Sequence, residues 1–169
     1  MAIRDNFSAD EWKTLLGGPA LAAAAVVAAS PGGTLGEMYG TLAGLREGMA
    51  NANSDLVNGL LAISDDEAKQ MGSLPPLPTE PAAARATALT RVQAAATLAS
   101  EKAASGAIPA SEAVAYKQFL YEVADRVANS GKEGAFLGLF GGVKVNDAER
   151  AVLGELAGLL GVTPPTPSA

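Results

Sequence analysis

The sequence predicts an all-α protein: a compact bundle of about six to seven helices, opening with a kinked N-terminal helix pair. Three observations predict it. Helix-start signatures of the Ser/Thr-x-x-Glu type recur along the chain, apolar residues fall between them at helical spacing, and no run of alternating β-branched residues marks a strand. The chain has 169 residues, 49% hydrophobic and 18% charged but only 5% aromatic. Its apolar share is carried by alanine, leucine and valine, side chains suited to closely packed helices. A chain of this length fits one domain, expected over residues 1–162, with a proline-rich connector at 72–81 inside it and a disordered tail at 163–169.

The first element starts at Ala9. Ser8 stands at an N-cap with Glu11 three residues on, and Phe7 can reach Trp12 as a hydrophobic staple. Gly17-Gly18-Pro19 is expected to break or kink this helix, Pro19 then opening an alanine-rich helix that ends near Ser30. That second helix has no polar face between Ala20 and Ala29, so it must be buried almost all round.

After Pro31-Gly32-Gly33, Thr34 and Glu37 form another capping box, opening a helix in which Leu35, Met38, Tyr39, Leu42 and Met49 recur at helical spacing. Asn51-Ala52-Asn53 ends it. Ser54 caps a short helix carrying Val57, Leu60 and Leu61, and Ser64 with Glu67 caps another running to about Met71. The proline-rich stretch that follows reads as an extended connector.

Pro81 opens the longest helix, to about Ser105, with Leu89, Val92, Ala96, Ala99 and Ala103 on one stripe and Gly106 closing it. Pro109 or Ser111 starts the next, whose Tyr116, Leu120, Val123 and Val127 share a face, and Asn129-Ser130-Gly131 stops it. Asn146 and Glu149 mark the start of a final helix with Val152, Leu153, Leu156, Leu159 and Leu160 inside, ended by Gly161.

Composition excludes several kinds of chemistry. The sequence holds no histidine and no cysteine, so Ser-His-Asp and Cys-His mechanisms, disulfides and cysteine-based zinc sites are ruled out within one chain. The 18 acidic residues exceed the 12 basic ones, and the formal charge of −6 repels phosphate backbones. No nucleic acid partner is expected. The apolar run Ala20–Ala29 falls short of the roughly 20 residues a membrane span needs. Asp5, Asp10 and Glu11 precede it where a signal peptide would carry positive charge, so a cytoplasmic protein is expected.

Two features could carry function. Gly36, Gly40, Gly44 and Gly48 stand at intervals of four and form a ridge without side chains on one helix face. Each glycine costs a helix about 0.8–1 kcal/mol relative to alanine, which close approach of another backbone can offset. The ridge is either a groove for one of the chain's own alanine-rich helices, a self-association face, or a groove for a flat ligand. The second feature is the segment 131–142, rich in glycine and bearing Phe136 and Phe140. It lacks the GxxxxGK[ST] order of a phosphate cradle. Its aromatic and leucine side chains either plug one end of the bundle or form a hydrophobic knob for a partner.

Other residues read as structural. Asp65-Asp66-Glu67 places negative charge at a helix N-terminus, and the ligand order of a calcium loop is absent. Glu122 and Arg126 are spaced for an i,i+4 pair, and Trp12, beside a cap, reads as a packing anchor. No catalytic residue, metal site or cofactor is expected. The function expected is that of a non-enzymatic helical interaction or scaffold protein, its partner another protein or a second copy in a homo-oligomer. The alternatives are a module binding a small apolar or planar ligand in an interhelical cleft, and an enzyme using carboxylate, lysine or tyrosine acid-base chemistry.

The stretch from Leu21 through Ser30-Pro31-Gly32-Gly33 to Thr34 and Glu37 is an apolar helix, a short polar turn and a Ser/Thr-x-x-Glu helix start. Together with Phe119–Ala128, Val145–Glu149 and Leu156–Gly161, it resembles the TerB-like tellurite-resistance family. The resemblance implies an all-helical fold with an internal pseudo-repeat. The family's Ala-Asp-Gly turn, whose acidic residues are associated with metal, is replaced here by Ser30-Pro31-Gly32 and Asn129-Ser130-Gly131, which puts metal binding in doubt.

Overall fold

A computed structural model describes residues 2–29, 53–63, 66, 75–130 and 147–164. Among them are a 3₁₀ turn at Ile3–Asn6 and five α-helices: α1 (Ala9–Val27), α2 (Asp55–Leu61), α3 (Pro81–Ala104), α4 (Ala110–Ser130) and α5 (Asp147–Leu160). No strand occurs among the described residues. The helices expected over 34–50 and 64–71 lie outside them, apart from Asp66.

The helix ends follow local chemistry. Ser8 Oγ accepts from Glu11 N at 3.2 Å while Glu11 Oε2 accepts from Ser8 N at 2.7 Å, closing the expected capping box. Ser54 Oγ likewise accepts from Val57 N at 3.1 Å to start α2. Pro81 takes the first position of α3, and the side chain of Glu80 caps it by accepting from Ala82 N at 3.0 Å and Ala83 N at 2.6 Å. Gly106 and Gly161 follow α3 and α5 with φ of 75° and 66°, a left-handed conformation that closes a helix and that side chains disfavour.

Of the expected break or kink, the break is overturned: Gly17-Gly18-Pro19 neither ends nor divides the first helix, and the expected N-terminal helix pair is a single 19-residue element with Pro19 inside it. Pro19 has no N–H to offer the carbonyl of Leu15, and its ring crowds that carbonyl. The missing donor comes from another helix: Tyr116 of α4 donates its hydroxyl to Leu15 O at 2.8 Å. Gly18 makes room for it. A Cβ there would collide with the Tyr116 hydroxyl and stand 3.0 Å from Leu120 Cδ2. The helix therefore survives its proline because a buried phenol completes its hydrogen bonding.

The second half of α1 is apolar all round, and Leu21 through Val26 are all buried. They can be, because α1 packs against α3 and α4, which pack against each other, with α5 also in contact with all three. Alanines line these contacts: Ala22–Ala25 of α1, Ala88, Ala95, Ala96 and Ala99 of α3, and Ala113, Ala124 and Ala128 of α4. Small side chains let helix axes approach closely. The expected core positions of α3 to α5 are buried or partly buried, and α4 buries more than its predicted stripe. Phe119 and Tyr121 are added because α4 meets α1, α2, α3 and α5 and so has contacts on several sides.

Candidate functional site

Gly36, Gly40, Gly44, Gly48, Phe136 and Phe140, the residues expected to form a binding surface, all lie outside the described residues. Trp12 is described, and it packs. It is 4% exposed, its ring centroid lies 5.8 Å from that of Phe7, and the Arg4 guanidinium stands 5.5 Å from its centroid. Its Nε1 is buried with no hydrogen-bond partner among the described residues. Of Asp65-Asp66-Glu67 only Asp66 is described, and it is exposed. Glu122 accepts from Gln118 Nε2 at 3.4 Å on the exposed side of α4.

Three polar groups are brought to partners far along the chain that the sequence did not predict. Tyr116 is the first. Burial alone pushes its phenol pKa far above the ordinary range, so the hydroxyl keeps its proton and serves as a fixed donor to Leu15 O. Tyr121 is shifted upward as well, first by burial and then by the charge of Asp125 one turn on. Neither phenol can act as a base near neutral pH.

Glu112 is the second. Its Oε2 accepts from Ser54 Oγ at 2.5 Å and from Leu56 N at 3.0 Å, and its Oε1 accepts from Asp55 N at 3.2 Å. A carboxylate from the first turn of α4 thus caps the start of α2, reinforcing Ser54, which is 3% exposed. Lys102 is the third: its Nζ lies 2.8 Å from Glu11 Oε2 and donates to Asn6 O at 3.1 Å. The Lys102 contact and the Ser8 hydrogen bond hold the Glu11 carboxyl below its ordinary pKa. Each of these groups is engaged in holding elements of the fold together.

The outer face of α3 is different. Ala82, Ala86, Thr90, Gln93, Ala94 and Thr97 are exposed, and every exposed residue of α3 before Glu101 is uncharged. The two cations of that stretch reach other elements: Arg85 pairs with Glu155 of α5, and Arg91 donates to Pro75 O at 2.6 Å. Thr90 bonds its hydroxyl back to Ala86 O at 2.9 Å. A shallow depression of about 390 Å³ runs along this face, lined by Thr90, Gln93, Ala94, Thr97, Leu98 and Glu101, all of one helix. Periodicity predicted the inner stripe of α3, and the same period leaves these small residues on the opposite side.

Among the described residues no cluster of three or more His, Cys, Asp or Glu is placed to hold a metal ion, and no helix is long and apolar enough to cross a membrane. No family model, no curated protein and no solved structure matches the chain.

Proposed function

We propose that this chain is a non-enzymatic helical interaction protein that associates with a second copy of itself through the outer face of α3. The observation that carries the reading is the absence of charge from every exposed residue of α3 before Glu101, in a chain that is 18% charged. Centres of protein interfaces are depleted in charged residues. Alanine and threonine also lose little side-chain entropy on being covered, and they allow a facing helix to approach closely.

The reading is further supported by the way these polar groups are used: Tyr116, Ser54, Glu112 and Lys102 are each engaged between elements of the fold. Gly36, Gly40, Gly44 and Gly48 supply a second small-residue ridge in the sequence pattern. A cytoplasmic protein without nucleic acid partners, of TerB-like helical architecture, belongs to the same proposal.

Size-exclusion chromatography with light scattering tests it on the wild type, Ala94→Glu and Gly40→Leu. Ala94→Glu places a charge in the middle of the face without disfavouring the helix. The expected result is an oligomeric wild type and a monomeric Ala94→Glu variant with unchanged circular dichroism. A wild type that stays monomeric at every concentration overturns the reading. Loss of association in Gly40→Leu but not in Ala94→Glu moves the contact from α3 to the glycine ridge.

A further inference from the structure

Residues 2–8 rest on the rest of the molecule through two apolar side chains, Phe7 in the core and Ile3 packed against it. Phe7 is buried and Ile3 and Asn6 are half-buried, while Ala2, Arg4, Asp5 and Ser8 are exposed. The hydrogen bonds within this stretch are local: Asp5 N donates to Ala2 O at 2.9 Å, Phe7 N to Arg4 O at 3.0 Å, and Ala2 N to Asp5 Oδ2 at 3.0 Å. These bonds close a local turn over Ala2–Phe7.

Beside the capping box that joins Ser8 to α1, the contacts of Asn6 and Phe7 with α3 converge on one ammonium group. Lys102, in the last turn of α3, is paired with Glu11, donates to Asn6 O, and lies 5.5 Å from the Phe7 ring centroid. Glu11 in turn accepts from Ser8 N, so the same carboxylate joins Lys102 to the start of α1. The ion pair and the contact with the Phe7 ring both require a positive charge at Lys102.

We propose that residues 2–8 form a strap latched by Lys102, and that loss of the Lys102 charge undocks the strap while leaving the helices beneath it folded. The freed surface is aromatic and apolar. Phe7 and Arg4 both lie against the Trp12 ring, and Ile3 covers the Gly59 side of α2, where its Cγ2 would stand 3.8 Å from a Cβ placed at Gly59. Undocking therefore exposes Trp12 together with the neighbouring surface of α2. Small segments with few buried contacts open at lower free energy than the whole fold, which makes such a partial opening accessible.

The test compares the wild type with Lys102→Gln and Lys102→Arg in the full chain. Hydrogen exchange is followed by mass spectrometry on peptides covering residues 2–8 and α3 to α5, alongside the emission of Trp12, the only tryptophan in the chain. In Lys102→Gln the strap exchanges about tenfold faster, on the scale of a lost charged hydrogen bond and ion pair. Trp12 emission shifts to the red, α4 and α5 keep their protection, and Lys102→Arg stays near the wild type. Three results overturn the proposal: unchanged strap exchange in Lys102→Gln, an equal acceleration across all helices, or a Lys102→Arg variant that behaves like Lys102→Gln.

Discussion

The Tyr116 hydroxyl donates a 2.8 Å hydrogen bond to the carbonyl oxygen of Leu15, the acceptor that Pro19, four residues further on, has no N–H to reach. The bond joins α4 to α1 inside the core, where both Tyr116 and Leu15 are 0% exposed. An unsatisfied buried carbonyl is costly, so the contact and the proline depend on each other.

That dependence can be measured as a double-mutant cycle. Tyr116→Phe is expected to destabilise the protein by about 1–3 kcal/mol, the cost of a buried polar group left without its partner. In a Pro19→Ala background the restored N–H reaches Leu15 O, and the cost of Tyr116→Phe falls below about 1 kcal/mol. Chemical denaturation of the four proteins gives the coupling. Equal costs in both backgrounds would show that the hydroxyl does not stand in for the missing amide.

Gly18→Ala sets two effects against each other. Alanine gains about 1 kcal/mol of helix propensity, but its Cβ collides with the Tyr116 hydroxyl and crowds Leu120, and overpacking costs about 1–3 kcal/mol. A net loss of about 1–2 kcal/mol is expected, because the obstructing hydroxyl is buried and hydrogen-bonded. In Tyr116→Phe the loss shrinks, since the atom in the way is gone. An unchanged penalty in that background would locate the clash elsewhere.

The raised pKa values of Tyr116 and Tyr121 fix the direction of the alkaline response. The folded state holds both protons more tightly than the unfolded chain. Their contribution is therefore complete below the ordinary tyrosine value of about 10 and is lost as pH rises above it. Denaturation midpoints should fall as pH rises above about 10, and Tyr116→Phe should flatten that dependence. A dependence of the same slope in the variant would assign it to other groups.

Removing the Glu112 carboxylate leaves the Ser54 hydroxyl and the amides of Asp55 and Leu56 without their acceptor. Glu112→Ala is expected to cost about 1–2 kcal/mol, the range of a lost helix cap. Exchange of the Asp55 and Leu56 amides should accelerate more than that of α5. Uniform acceleration would mean that Glu112 supports the whole bundle rather than α2.

What the sequence made legible here is chemistry local to a few residues. Ser8 with Glu11, Ser54, Pro81, Gly106 and Gly161 set helix limits by contacts within one turn, and each stands where pattern reading put it. The continuity of α1 was not legible. The proline that argued for a break is rescued by a tyrosine that lies 101 positions from the carbonyl it serves, that of Leu15. Glu112 was overlooked for the same reason: its role depends on α2 lying beside the start of α4, 57 positions away along the chain at Asp55. The outer face of α3 was visible only as the complement of its buried stripe, and nothing in spacing alone distinguishes small residues that face solvent from small residues that pack.

The most direct test of self-association through α3 uses the absence of native cysteine, which makes any introduced thiol a unique reporter. Thiol-labelling rates would be compared for Thr97→Cys, on the proposed face, and Val114→Cys, at a residue 65% exposed on α4, over a series of protein concentrations. As concentration rises, labelling at position 97 should slow about tenfold, in proportion to the fraction of molecules associated, while position 114 keeps its rate. Labelling at position 97 that stays constant while light scattering reports an oligomer would contradict the account, because the copies would then meet through another surface.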